Sequence, residues 1–148
     1  MTSNATIIPG PALPALRTKK RILVADDNLV VLKVLSLKLA ACGYEVVTVT
    51  EISKVIQRIA AELPDLVLLD LHFANEPSFG SVEWDGFKAL QWLQRLEQIR
   101  QIPIIVVTAD QSPETRERVM KSGANALFTK PLEFDRVLAK MRVLLAPV

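Results

Sequence analysis

The residues best suited to chemistry in this 148-residue chain are Asp26, Asp27, Asp70, Thr108 and Lys130. Each stands at or next to the end of a short apolar run: Ile22–Ala25 leads into Asp26-Asp27, Leu66–Leu69 into Asp70, Ile104–Val107 into Thr108, and Ala126–Phe128 into Thr129-Lys130-Pro131. The run Val46–Val49 leads into Thr50-Glu51, which is less informative. Three carboxylates brought together repel and raise one another's pKa unless a cation compensates. A hard divalent ion such as Mg2+, which takes oxygen ligands and keeps several waters, suits such a group, and Lys130 adds a further positive charge. An Asp carboxylate can also attack phosphorus and carry an aspartyl phosphate. The transferred group then needs its oxygens neutralised, which a metal, an ammonium and a hydroxyl donor can do together.

These residues converge only if the runs are neighbouring strands. The runs are short, continuous and rich in β-branched residues, as expected of strands buried on both faces of a parallel sheet. Segments of helical period separate them, so the pattern is βαβ and the class α/β. Ligands of open parallel sheets sit beyond the carboxyl ends of the strands, where all five residues would lie. The spacing predicts a first helix from the N-cap Asn28 to Cys42, stopped by Gly43, with Cys42 as a small buried hydrophobe. Further helices are predicted over Ser53–Glu62, Gly86–Ile99, Pro113–Ser122 and Glu133–Leu145. Residues 1–20 read as a flexible tail, and the basic cluster Arg17, Lys19, Lys20, Arg21 as its solvated lead-in to the first strand.

Other classes are excluded by what the chain lacks. One cysteine and one histidine rule out an internal disulfide, a Cys-rich metal site and an H-E-x-x-H zinc site. Five scattered glycines give neither G-x-G-x-x-G nor a phosphate-binding P-loop. A net charge of +2 does not mark a nucleic-acid binder, and none is expected. No apolar run approaches a membrane span, and the start lacks the order of charge and apolar stretch of a secretory signal. The expected setting is cytoplasmic.

In this order and spacing, the segments ILVADDN at 22–28, LVLLDL at 66–71, PIIVVTA at 103–109 and GANALFTKP at 123–131 resemble the receiver domain of two-component response regulators. The resemblance covers residues 21–146 and, with the last residues, makes 21–148 one receiver domain. It implies a flavodoxin-like, doubly wound, five-stranded parallel sheet of order 2-1-3-4-5 with helices on both faces. It also implies that Asp70 accepts a phosphoryl group from a sensor histidine kinase or a histidine-phosphotransfer protein. Asp27, Asp70 and the backbone carbonyl of His72 would ligate Mg2+, and Asp26 would hold a metal-bound water. Thr108 would bond a phosphoryl oxygen, Lys130 would pair with the phosphate, and Lys130-Pro131 would be cis. His72 and Asp110 would flank the path of hydrolytic water and tune the lifetime of the phosphorylated state. Such a domain assists its own phosphorylation and dephosphorylation but has no conventional substrate.

Three departures from the family pattern stand out. Phe73-Ala74 replaces the usual Met-Pro, and Asp85-Gly86 follows fifteen positions after Asp70, so Asn75–Trp84 reads as an insertion beside the acceptor. Leu127 occupies the place of the usual switch aromatic. The first helix is unusually apolar; a single core stripe would leave Val31, Leu32, Leu35 or Leu39 partly exposed, a face for docking or for a homodimer. These departures keep a degenerate receiver, acting without phosphorylation, as the alternative. A dehalogenase-like phosphohydrolase fits less well, because its two acids lie two apart on one strand.

Overall fold

The apolar runs form a parallel sheet because β-branched residues suit a pleated surface and the intervening segments are long enough to cross over it. A computed structural model of the chain describes residues 18–72 and 86–147. The strands are β1 (Arg21–Ala25), β2 (Glu45–Val49), β3 (Leu66–Asp70), β4 (Ile104–Thr108) and β5 (Ala126–Thr129). Every pairing is parallel, in the order β2-β1-β3-β4-β5. The helices are α1 (Leu29–Ala41), α2 (Val55–Glu62), α3 (Gly86–Arg95), α4 (Pro113–Lys121) and α5 (Phe134–Leu145). The class and strand order expected from the sequence are those observed.

Alternation along the strands sends side chains into two cores. Leu23, Ala25, Val67, Leu69, Ile104 and Val106 pack with residues of α2, α3 and α4, including Ile59, Leu93 and Val119. Ile22, Val24, Leu66, Leu68 and Ile105 pack with Leu32, Leu35 and Leu39 of α1 and with Val137 and Met141 of α5. Every position of β3 and β4 is buried, so the central strands are held on both faces and their carboxyl ends are fixed in space. β2 and β5 are the edge strands, and Glu45 and Thr48 of β2 face solvent.

Local signals set the helix starts. Asn28 Oδ1 accepts the N–H groups of Val30 and Val31 at 3.0 and 3.2 Å. Ser112 Oγ accepts the Thr115 N–H at 3.2 Å, with Pro113 opening α4. Gly43 ends α1 at φ +92°, a conformation that costs glycine little.

Several expectations are corrected. α3 stops at Arg95 rather than Ile99, because residues 97–101 turn the chain back toward β4; the Ile99 N–H bonds the Leu96 carbonyl at 2.9 Å and the turn buries Ile99 in the core. α2 is preceded by a single 3-10 turn, Ile52–Lys54. Cys42 is exposed, not buried: α1 ends at Ala41, and Cys42 turns off the helix with its N–H capping α1 carbonyls. Of the four α1 residues expected to be partly exposed, Val31 is so, whereas Leu32, Leu35 and Leu39 are buried, and the exposed large apolar residues of α1 are Leu29, Val30, Val34 and Leu37. α5 covers part of this helix, with Phe134 under the Lys38 ammonium at 5.3 Å from the ring centroid. Arg21 is no solvated lead-in: its guanidinium donates to the Glu62 carbonyl at 2.7 Å and pairs with Glu45 and Glu62 at 3.1 and 3.3 Å. Lys19 and Lys20 are exposed as expected. Residues 1–17 of the predicted tail and the predicted insertion Asn75–Trp84 lie outside the described residues.

Candidate functional site

The carboxyl ends of β1, β3, β4 and β5 bring the predicted residues to one edge of the sheet. Asp26 follows β1 directly, and its N–H bonds the Val49 carbonyl of β2 at 3.0 Å. Its Oδ1 accepts the Asn28 N–H at 2.9 Å, which aims Oδ2 at the Lys130 ammonium 3.3 Å away. Asp70 ends β3, where its pairing with Val107 of β4 fixes it; Oδ1 accepts the His72 N–H at 3.3 Å and Oδ2 lies 3.4 Å from Lys130 Nζ. Both residues are 4 % exposed. Asp27 is half-buried beside them, and one oxygen from each of Asp26, Asp27 and Asp70 falls within 4.8 Å of the others.

The hydroxyl and the ammonium arrive from the other side. Thr108 is fully buried at the end of β4, and its carbonyl accepts the Lys130 N–H at 2.8 Å. That bond, together with the register of Thr108 opposite Thr129, sets Lys130 at the mouth of the site. The Lys130-Pro131 peptide is cis.

Electrostatics follow from this crowding. Burial, and then the Asp26 charge, push the Asp70 carboxyl up from 3.8 to about 6, against the lowering effect of Lys130 and of the His72 N–H. Burial alone would push the Lys130 ammonium down, but the Asp70 and Asp26 carboxylates more than offset it and hold it above the usual lysine range. Three carboxylates facing this ammonium leave an excess of negative charge on hard oxygen donors. Such a donor set fits a divalent cation of the Mg2+ kind, and not a soft metal that prefers sulfur or imidazole.

The remaining predicted residues ring the site. His72 is exposed two positions after Asp70, and Asp110 is exposed two positions after Thr108. The Thr115 hydroxyl, and then the Ser112 N–H, hold the Asp110 carboxyl below its usual range. Leu127 is buried in the core rather than placed in the site, paired with Val106 of β4. Two residues were not legible in the sequence. Thr115 bonds Asp110, and its only signal was the Ser112-Pro113 helix start, which gives no hint of a side-chain partner. Gly86 packs against the chain just after the acceptor, where an added Cβ would lie 2.5 Å from the Leu71 carbonyl oxygen; the Asp85-Gly86 pair hinted at this without giving the contact.

A parallel sheet of this order with acidic, hydroxyl and lysine residues gathered at its carboxyl edge defines a receiver-type α/β domain. Residues 22–142 match the response regulator receiver domain family, and the chain belongs to it. It is 34% identical over 142 residues to the CAI-1 autoinducer sensor kinase/phosphatase CqsS of Vibrio cholerae, covering 95% of this chain and 19% of the relative. It is 33% identical over 126 residues to the DNA-binding dual master transcriptional regulator RpaA of Synechocystis, covering 84% of this chain and 48% of the relative. A CheY-like response regulator receiver domain protein from Methanospirillum hungatei superposes with a TM-score of 0.75 at 26% identity, covering 86% of this chain and 94% of that one. The chain thus spans about a fifth to a half of the length of these two curated relatives. Among the described residues no helix is long and apolar enough to cross a membrane.

Proposed function

We propose that this receiver domain works in the cytoplasm and is phosphorylated on Asp70 by a sensor histidine kinase or a histidine-phosphotransfer protein, and that phosphorylation switches a partner-binding surface. The observation that carries this reading is the position of Asp70: a buried carboxylate at the end of the central strand, with Lys130 on one oxygen and Asp26 and Asp27 alongside. The sensor kinase named among the relatives supports a phosphohistidine donor.

An Asp70 carboxylate oxygen attacks phosphorus as the donor's N–P bond breaks. The electron pair of that bond stays on the imidazole, which takes up a proton from solvent. Lys130 is placed to neutralise one phosphoryl oxygen and the Thr108 hydroxyl to donate to another. Asp27, Asp70 and the His72 carbonyl would hold Mg2+, with Asp26 accepting from a metal-bound water. When bound, the ion supplies positive charge that screens the approaching phosphoryl oxygens from the carboxylates. Attack of water on the aspartyl phosphate breaks the O–P bond and returns the Asp70 carboxylate and inorganic phosphate, so the chain turns over no separate substrate. His72 and Asp110 flank that approach and tune its rate.

The test is intact-mass spectrometry after incubation with acetyl phosphate and Mg2+. One phosphoryl group is expected on the wild type, none without Mg2+, and none on Asp70→Asn. A wild type that takes up nothing would favour a receiver acting without phosphorylation.

A further inference from the structure

The turn between β4 and α4 ties the Thr108 hydroxyl to the first turn of α4 by an unbroken chain of hydrogen bonds. Thr108 Oγ1 accepts the Asp110 N–H at 3.0 Å. The Asp110 carboxylate accepts the Ser112 N–H on Oδ1 at 2.8 Å and the Thr115 hydroxyl on Oδ2 at 2.6 Å. Ser112 accepts in turn from α4, through Oγ from the Thr115 N–H and through its carbonyl from the Arg116 N–H, both at 3.2 Å. Each Asp110 oxygen is therefore engaged, and a hydroxyl donating to a carboxylate at this distance belongs to the stronger, charge-assisted class.

The other end of the chain of bonds is equally constrained. Thr108 is fully buried and its carbonyl is held by the Lys130 N–H. Its hydroxyl oxygen accepts the Asp110 N–H, which leaves its own proton available to donate to another acceptor. An aromatic at position 127 could have turned between core and surface, but Leu127 is buried. Moving it into water would expose apolar area and gain no hydrogen bond.

We propose that Thr115 is a positioning residue which, through Asp110, couples the state of Asp70 to α4, and that Leu127 takes no part. This deepens the phosphoacceptor reading and rests on it. When the Thr108 hydroxyl turns to donate to a phosphoryl oxygen, the Asp110 N–H that it accepts must follow. The Asp110 carboxylate then carries the displacement into the amino end of α4.

The test compares wild type with Thr115→Val, which keeps shape and the N–H bonded to Ser112 but removes the hydroxyl, and with Thr115→Ser, which restores it. Each protein is treated with acetyl phosphate and Mg2+. The phosphorylated fraction is read by intact mass and amide hydrogen exchange is followed across residues 113–121, with α2 as the control for an intact fold. Wild type and Thr115→Ser are expected to show a phosphorylation-dependent change in α4 exchange. Thr115→Val is expected to take up the phosphoryl group to the same extent and to lose most of that change. A full change in Thr115→Val, or no recovery in Thr115→Ser, overturns the coupling. A wild type that is phosphorylated without any change in α4 overturns the coupling alone, whereas one that takes up no phosphoryl group overturns the phosphoacceptor reading and the coupling with it.

Discussion

Replacing Asp70 with Asn is expected to stabilise the Mg2+-free protein at neutral pH, because the native structure holds this carboxylate against its own ionisation. Burial and the Asp26 charge raise the Asp70 carboxyl from 3.8 to about 6. The sign follows from proton linkage. Below 3.8 the group is protonated in both folded and unfolded chains and contributes no penalty. Between 3.8 and about 6 the unfolded chain gives up its proton first, so stability falls as pH rises, and the full penalty is present above about pH 6. The difference amounts to about 3 kcal/mol at about 1.4 kcal/mol per factor of ten. Water at the mouth of the site, where Asp27 and Lys130 are half-exposed, screens this to about 1–2 kcal/mol. Asparagine keeps the shape and the acceptor for the His72 N–H while removing the charge. Urea or thermal unfolding in EDTA at about pH 7.5 should therefore show the variant more stable by that amount, roughly 3–6 °C in Tm for a domain of this size. The gap should close as the pH is lowered toward 4. Mg2+ should raise the stability of the wild type and not of the variant, since binding to the folded state alone stabilises it. An Asp70→Asn protein no more stable than wild type at pH 7.5, or a gap that persists at low pH, would refute this account of the site's electrostatics.

Lys130→Met should push the Asp70 carboxyl above about 6, since the ammonium 3.4 Å away now lowers it; the carboxyl carbon shift of Asp70 followed against pH checks this. Gly86→Ala should cost about 1–3 kcal/mol in urea unfolding and weaken Mg2+ binding by titration. Its new Cβ would lie 2.5–2.6 Å from Leu71 backbone atoms, and Leu71 joins Asp70 to His72. Asn28→Ala should cost about 1 kcal/mol by the same unfolding assay, because it removes the acceptor for the Val30 and Val31 N–H groups. His72→Asn should speed loss of the phosphoryl group at constant Mg2+, followed by phosphate release, because a smaller side chain beside Asp70 opens the path for water.

The sheet was legible because its central strands are buried on both faces, so the run Leu66–Leu69 and the run Ile104–Val107 carry their own signal without help from distant contacts. The acidic cluster was legible for a related reason. In a parallel sheet the residue after each run must lie at the same edge, so Asp26, Asp70, Thr108 and Lys130 could be grouped before any distance was known. What escaped depends on how elements meet. Cys42 continues the α1 core spacing after Leu39, and only the turn at Gly43 takes it out of the core. The exposed residues of α1 could not be assigned, because the apolar character runs around the helix and the choice of buried stripe is made by β1 and α5. Arg21 looked like one of four basic residues until Glu62 and Glu45 arrived from α2 and β2. Thr115 has no signature, since its bond to Asp110 depends on the path of the turn that separates them.

The most direct test of the central claim is to locate the phosphoryl group. The wild type should be treated with acetyl phosphate and Mg2+, digested under conditions that preserve acyl phosphates, and sequenced by tandem mass spectrometry. The account predicts a single modified peptide with the phosphoryl group on Asp70. A phosphoryl group on any other residue, or one that persists in Asp70→Asn, would contradict it.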